Sequence, residues 1–262
     1  MTTTTRSQGA VRTLRIGILK TDSVRPEFIG LHGDYPDMFR TLLTDAAEIA
    51  GMPTPEFETY DVQHGRYPGT PEDCDGYVIT GSRDSVYDPH PWIAELGEYV
   101  RELHQRQHKL IGICFGHQLV AQALGGETTA ADVGWAVGVH GSRLTARPPW
   151  LSVDADDFAL LSSHKDQVRR LPDDAELLAA SDFCPIAAFT VGDHILALQG
   201  HPEFVKPYAE DLMRFRETLL GAEVFARGMA SLAEPVQRMQ VGRWMLDFLN
   251  WRAPAATHAD DH

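Results

Sequence analysis

Cys114 stands in Ile111-Gly-Ile-Cys-Phe-Gly-His-Gln118, where an apolar run meets a thiol flanked by Gly112 and Gly116. The stretch beyond it, Gln118 to Leu124, has helical character. Two glycines around one reactive residue permit a tight strand-to-helix turn whose middle residue is strained and exposed, which would aim the sulfur into solvent. The same turn sets Cys114 at a helix N-terminus, where the dipole favours thiolate over thiol. A cysteine that merely packs in a core requires no such turn, so the pattern is that of a nucleophile.

A thiolate nucleophile needs a base, and the base needs a group to orient it. Ile195-Leu-Ala-Leu-Gln-Gly-His-Pro-Glu203 supplies both: His201 follows an apolar strand, Pro202 stiffens the turn, and Glu203 lies within reach of the imidazole. Metal ligation by His201 and Glu203 lacks a third ligand, so no metal is expected. A third strand end, Val78-Ile-Thr-Gly-Ser82, offers the backbone N–H of Gly81, which with that of Phe115 would make a two-donor oxyanion hole. An ordinary turn is the alternative for this last segment.

These strand ends need a scaffold. Leu14 to Leu19 reads as a buried first strand, and the helical spacing of Met38, Phe39, Leu42, Leu43, Ala46, Ile49 and Ala50 follows it, with Gly51 at the C-terminal cap position. Phe57 to Val62, Tyr77 to Thr80 and Lys109 to Ile113 read as further strands, with a helix face through Trp92, Ile93, Leu96, Tyr99, Val100 and Leu103. Alternation of this kind builds a mostly parallel sheet with helices on both sides. From Trp135 to Leu198 the segments shorten (Trp135 to His140, Ser142 to Thr145, Leu177 to Ala180, Ile186 to Thr190, Ile195 to Leu198), which suits antiparallel strands at the sheet edge. After His201 the chain reads as helical to about Trp251, with Met213, Phe215, Leu219, Phe225, Val236, Met239, Trp244, Met245 and Phe248 as core contacts. With no repeat and no linker, residues 12–250 are expected to form one domain between flexible tails at 1–11 and 253–262.

The paired motifs resemble the class I (triad) glutamine amidotransferase family. Its Gly-x-Cys-x-Gly-x-Gln elbow is matched by Gly112, Cys114, Gly116 and Gln118, and its His-Pro-Glu by His201, Pro202 and Glu203. The likeness runs from about Leu14 to Phe204. Within the family it is nearest to free-standing members similar to the amidotransferase half of GMP synthase, including the γ-glutamyl peptidases. The resemblance implies an α/β three-layer sandwich of flavodoxin-like type, with a central, mostly parallel sheet and antiparallel edge strands. It also implies substrate recognition by Gln118 and by Ser163 and His164 of Ser162-Ser-His-Lys-Asp166, with Trp135 in a segment near the pocket. Lys165 departs from the family's His-Gly-Asp and bears on what sits beside the γ-glutamyl group.

The implied chemistry is hydrolysis of a γ-glutamyl amide (a peptide, an amine conjugate or glutamine) through a γ-glutamyl thioester on Cys114, with no cofactor. The alternative is a glutaminase subunit that hands ammonia to a separate synthetase subunit, since no Gly-rich phosphate loop followed by Lys-Ser or Lys-Thr is present. A third reading is a binding or regulatory module with a silent triad. A formal charge of −14, from 23 basic and 37 acidic side chains, disfavours nucleic acid and anionic membranes as partners. That leaves a small-molecule substrate, with self-association open. Three widely spaced cysteines suit reduced thiols, Cys74 and Cys184 as packing residues. The N-terminus carries neither a signal-peptide nor a transit-peptide pattern, so a cytoplasmic address is expected.

Overall fold

A computed structural model describes residues 12–151 and 156–252; the tails expected at 1–11 and 253–262 lie outside the described residues. The first half alternates as expected: β1 (Arg15–Lys20), α1 (Pro26–His32), α2 (Tyr35–Ile49), β2 (Glu56–Asp61), β3 (Gly76–Ile79), α3 (Pro91–Gln105), β4 (Leu110–Ile113) and α4 (Phe115–Ala123). Shorter strands follow: β5 (Glu127–Ala130), β6 (Ala136–Leu144), β7 (Asp157–His164), β8 (Asp166–Arg170), β9 (Ala175–Ala180), β10 (Ala188–Val191) and β11 (Ile195–Leu198). Four helices close the described chain: α5 (Lys206–Phe215), α6 (Glu217–Leu220), α7 (Ala222–Ser231) and α8 (Arg238–Asn250).

Nine strands form one sheet in the order β2-β1-β3-β4-β11-β10-β9-β6-β7. Strands β2, β1, β3, β4 and β11 run parallel, and β10, β9, β6 and β7 add antiparallel pairs on one side. A separate two-stranded ladder joins β5 to β8. The pleat sorts the core onto two faces. Ile111, Ile113, Leu196 and Leu198 pack with Phe39, Leu42, Trp244 and Phe248 of α2 and α8. Leu110, Ile195 and Ala197 pack with Leu96, Val100 and Leu103 of α3 and with Phe115 and Leu119 of α4. Buried on both faces, the central strands must be short and apolar throughout, which is how they read in the sequence.

Several expectations are corrected. The two strands expected at Trp135 to His140 and Ser142 to Thr145 are one, β6 (Ala136–Leu144), because Gly141 stays in register opposite Ala159. Phe215 and Leu219, expected in the core, are 49% and 63% exposed. Helix α5 buries Tyr208, Ala209, Leu212 and Met213, and the helical run breaks at Arg216, so neither residue lies on the inward stripe. Phe215 instead meets Phe28 edge-on, with ring centroids 6.0 Å apart, and the Arg25 guanidinium covers it at 3.9 Å. Helix α1 escapes a pattern reading because it buries no residue. Among the described residues no helix is long and apolar enough to cross a membrane.

Candidate active site

Strands β3, β4 and β11 are neighbours in the sheet, so the three chemically unusual strand ends come out side by side. Cys114 follows β4 directly and caps α4 with φ 53° and ψ −99°, one of two non-glycine residues at positive φ among the described residues. The strain therefore sits on the cysteine itself. The flanking glycines serve space instead: a Cβ on Gly112 would lie 2.5 Å from the Gly116 carbonyl oxygen, and one on Gly116 would lie 2.8 Å from both Ile79 Cβ and its carbonyl oxygen. Removing those two side chains lets α4 start hard against the sheet, which forces the turn. The sulfur is not offered to open solvent as expected, since Cys114 is only 5% exposed.

His201 leaves β11 three residues after Leu198, and its N–H donates to the Leu161 carbonyl of β7 at 2.8 Å. Its Nδ1 lies 2.7 Å from Glu203 Oε1, and both side chains are buried. Its ring stacks face to face on Phe204, centroids 3.9 Å apart. Burial works against a charged imidazole here, but Glu203 and Cys114 outweigh it and hold the His201 pKa up at about 10. Cys114 and Glu203 therefore both act on the same imidazole. Gly81 packs against both, for a Cβ there would come within 2.9 Å of His201 Cε1 and 3.7 Å of Cys114 Cβ. The N–H of Phe115 is the first of α4 and has no partner inside the helix. Like that of Gly81, it meets no acceptor among the described residues. The structure thus brings Cys114, His201, Glu203, Gly81 and Phe115 together.

The residues expected to contact substrate, Gln118, Ser163 and His164, make hydrogen bonds within the protein. Gln118 is buried, and its Nε2 donates to the Asp166 carbonyl at 2.8 Å and to Gln199 Oε1 at 3.1 Å, tying α4 to β8 and to the residue that follows β11. His164 is buried beside it, with Nδ1 donating to the Asp166 carbonyl at 3.0 Å. Burial, with His201 and His140 nearby, pushes its pKa down to about 3, so it is neutral at neutral pH. The Ser163 hydroxyl accepts from Arg216 Nη1 at 2.7 Å. Lys165 is exposed, its carbonyl accepting from the Ala131 N–H.

Sequence reasoning missed the groups that hold the turn at Gly81. Asp22 is 6% exposed and receives Arg83 through its backbone N–H, Nε and Nη2 at 3.0, 2.8 and 2.7 Å. Thr21 Oγ1 donates to the Gly81 carbonyl at 2.9 Å, fixing the same turn from beneath. Ser85 Oγ and Tyr87 Oη donate to the Asp166 carboxylate at 2.5 and 3.0 Å. The only sequence signal for these links is that polar residues follow buried strands. Asp84, Asp88 and His90 place ligand atoms within 4.8 Å of one another, and His90 is exposed. A groove of about 1040 Å3 between Ser142, Asp157, Pro185 and Gln237 includes none of Cys114, His201 or Glu203.

Comparison with known proteins agrees with this layout. The glutamine amidotransferase class-I family model matches residues 43–219. The chain is 28% identical over 211 residues to gamma-glutamyl peptidase 3 of Arabidopsis thaliana, covering 78% of this chain and 81% of that protein. It is 31% identical to a glutamine-hydrolyzing GMP synthase subunit of Halobacterium salinarum, covering 66% of this chain and 85% of the relative. Its fold is similar to the crystal structure of a glutamine amidotransferase from Thermotoga maritima, with a TM-score of 0.68 at 17% identity over 91% of this chain and 96% of that one.

Proposed function

The chain belongs to the class I glutamine amidotransferase family, and from that premise we propose that it hydrolyses γ-glutamyl amides through a thioester on Cys114. The observation that carries this reading is a cysteine held at φ 53° beside an imidazole whose Nδ1 lies 2.7 Å from a buried carboxylate. The Cys114 thiolate attacks the γ-carbonyl carbon, and the oxyanion rests on the N–H groups of Gly81 and Phe115. His201 hands its proton to the departing amine as the C–N bond breaks, leaving a γ-glutamyl thioester. Acylation removes the negative charge of Cys114, one of the groups that holds the His201 pKa up. The imidazole, neutral after giving its proton to the amine, takes a proton from the water that attacks the thioester carbonyl; the C–S bond breaks, the thiolate returns and glutamate is released. Glu203 keeps the ring in the required tautomer throughout. Gln118 and His164 shape the wall of the pocket through the Asp166 carbonyl.

The test is the purified chain, alone, assayed with glutamine, γ-glutamyl peptides and γ-glutamyl amines, with products identified by mass. Turnover that disappears in Cys114→Ala is the expected result. Absence of turnover with every γ-glutamyl compound would overturn the reading. The similarity to the Halobacterium salinarum GMP synthase protein favours one alternative, a glutaminase that delivers ammonia to a separate synthetase. Turnover confined to glutamine, and only after such a partner is added, would establish that alternative instead.

A further inference from the structure

Strands β1 and β3 run parallel, with Leu19 opposite Ile79, so the residues that follow β1 stand beside those that follow β3. Thr21 and Thr80 are both fully buried there. The Thr21 N–H donates to Thr80 Oγ1 at 3.1 Å, and the two side-chain oxygens lie 2.9 Å apart. Thr21 Oγ1 also lies 2.9 Å from the Gly81 carbonyl oxygen and 3.1 Å from that of Thr80. Both carbonyls that flank the Gly81 α-carbon thus converge on one hydroxyl, whose single proton they share. No peptide bond among the described residues is cis, so the Gly81 N–H points opposite to the Thr80 carbonyl and away from Thr21.

Asp22, the next residue, grips the far end of the same turn. Its Oδ2 accepts from the Arg83 N–H and Nε, and its Oδ1 accepts from Arg83 Nη2 and, at 2.8 Å, from the Ser23 N–H. Two consecutive residues of one strand end therefore hold both sides of the turn whose glycine packs against His201 and Cys114. Glycine has the freest backbone of any residue, so its N–H stays aimed only while the peptide planes on either side are fixed. A donor aimed in advance needs no reorganisation when negative charge develops on a substrate oxygen. We infer that Thr21 and Asp22 are positioning residues for the hydrolysis: without touching substrate, they hold the turn from Thr80 to Arg83 so that the Gly81 N–H faces the developing oxyanion. The inference rests on the γ-glutamyl reading above and deepens it.

The experiment measures kcat, KM and the rate of Cys114 alkylation by iodoacetamide in Thr21→Val, Thr21→Ser and Asp22→Asn, with γ-glutamyl p-nitroanilide as substrate. Thr21→Val keeps the shape and removes the hydroxyl, so kcat and kcat/KM should fall together by roughly 10- to 100-fold, short of the loss from deleting an oxyanion donor outright. Thr21→Ser restores the hydroxyl and should recover kcat to within about 3-fold of wild type, while Asp22→Asn, which keeps an acceptor for the Arg83 N–H, should lose roughly 3- to 10-fold. Alkylation is displacement at a saturated carbon and builds no oxyanion, so its rate should stay within about 2-fold of wild type in all three variants. Merely structural residues would give the opposite split, a lower melting temperature with kcat per alkylatable Cys114 unchanged. Wild-type kcat in a folded Thr21→Val or Asp22→Asn, a loss confined to KM, or alkylation slowed in step with turnover would overturn the inference while leaving γ-glutamyl hydrolysis intact. Asp22→Asn decides the matter if Thr21→Val does not fold. Failure of the wild-type protein on the anilide, on glutamine and on γ-glutamyl peptides would instead remove the γ-glutamyl reading, and this one with it.

Discussion

The imidazole of His201 lies flat on the phenyl ring of Phe204, with centroids 3.9 Å apart and planes 9° from parallel. Glu203 fixes one edge of the imidazole by a hydrogen bond, which leaves rotation about that bond to be stopped by something else. Phe204 does this, and its π face also attracts the ring when it is protonated.

Phe204→Leu keeps the site apolar and removes only the stack. A stacked or cation–π contact contributes about 1 kcal/mol, so kcat should fall roughly fivefold with little change in KM. Steady-state kinetics on any γ-glutamyl substrate reads this directly. A change confined to KM would mean that the ring serves binding and not the placement of the base.

Backbone strain at Cys114 gives a second expectation. A non-glycine residue at φ 53° and ψ −99° is held there by Gly112, Gly116 and the sheet, at a cost of about 1–3 kcal/mol. Cys114→Ala keeps the Cβ and therefore the strain, whereas Cys114→Gly releases it. Both variants should be inactive, but the glycine variant should melt several degrees higher than the alanine variant. Equal melting temperatures would show that the elbow stores no strain.

The pH profile follows from the His201 environment. Burial lowers its pKa, and the opposing pull of Glu203 and Cys114 leaves it at about 10. The imidazolium needed to protonate the leaving amine therefore persists to alkaline pH, and kcat/KM for a γ-glutamyl anilide should fall only as pH rises through about 10. Glu203→Gln removes the nearest negative charge and should move that alkaline limb down by roughly 1–3 pH units. A limb that does not move would mean that Glu203 orients the ring without supporting its charge.

Much of this arrangement is legible from local pattern. The strands that carry Cys114, Gly81 and His201 are short apolar runs ended by small or polar residues, and burial on both faces demands that composition. The elbow is legible because the glycines leave no side chain where Ile79 and Gly116 must pass. Strand β7 and the β8 strand that follows it are not legible, because Ser162, His164, Asp166 and Gln167 are buried polar residues and mask the apolar alternation. The Asp22–Arg83 clamp and the Arg216–Ser163 hydrogen bond join residues 61 and 53 positions apart, so nothing in their neighbours' types announces them. Phe215 misleads a pattern reading in a similar way: the break at Arg216 resets the helix phase, and no residue near it marks the break.

Buried histidines set the acid stability. Burial, with His164 close by, lowers the pKa of His117 to about 3, and burial, with His201 and His140 close by, does the same to His164. Between about 6.5, the value for an unfolded histidine, and about 3, the unfolded chain binds protons that the native state refuses. Stability is therefore lost as pH falls through that window, at up to about 1.4 kcal/mol per pH unit for each group. His201 acts in the opposite sense: with a folded pKa of about 10, its contribution is complete below about 6.5 and fades as pH rises toward 10. His117 packs against Phe189 with ring centroids 5.0 Å apart, so His117→Leu keeps an apolar contact there and removes one titrating group. Its melting temperature should drop less than that of the wild-type protein between pH 7 and pH 4.5. Identical pH slopes for His117→Leu and the wild-type protein would show that His117 takes up its proton in the native state after all.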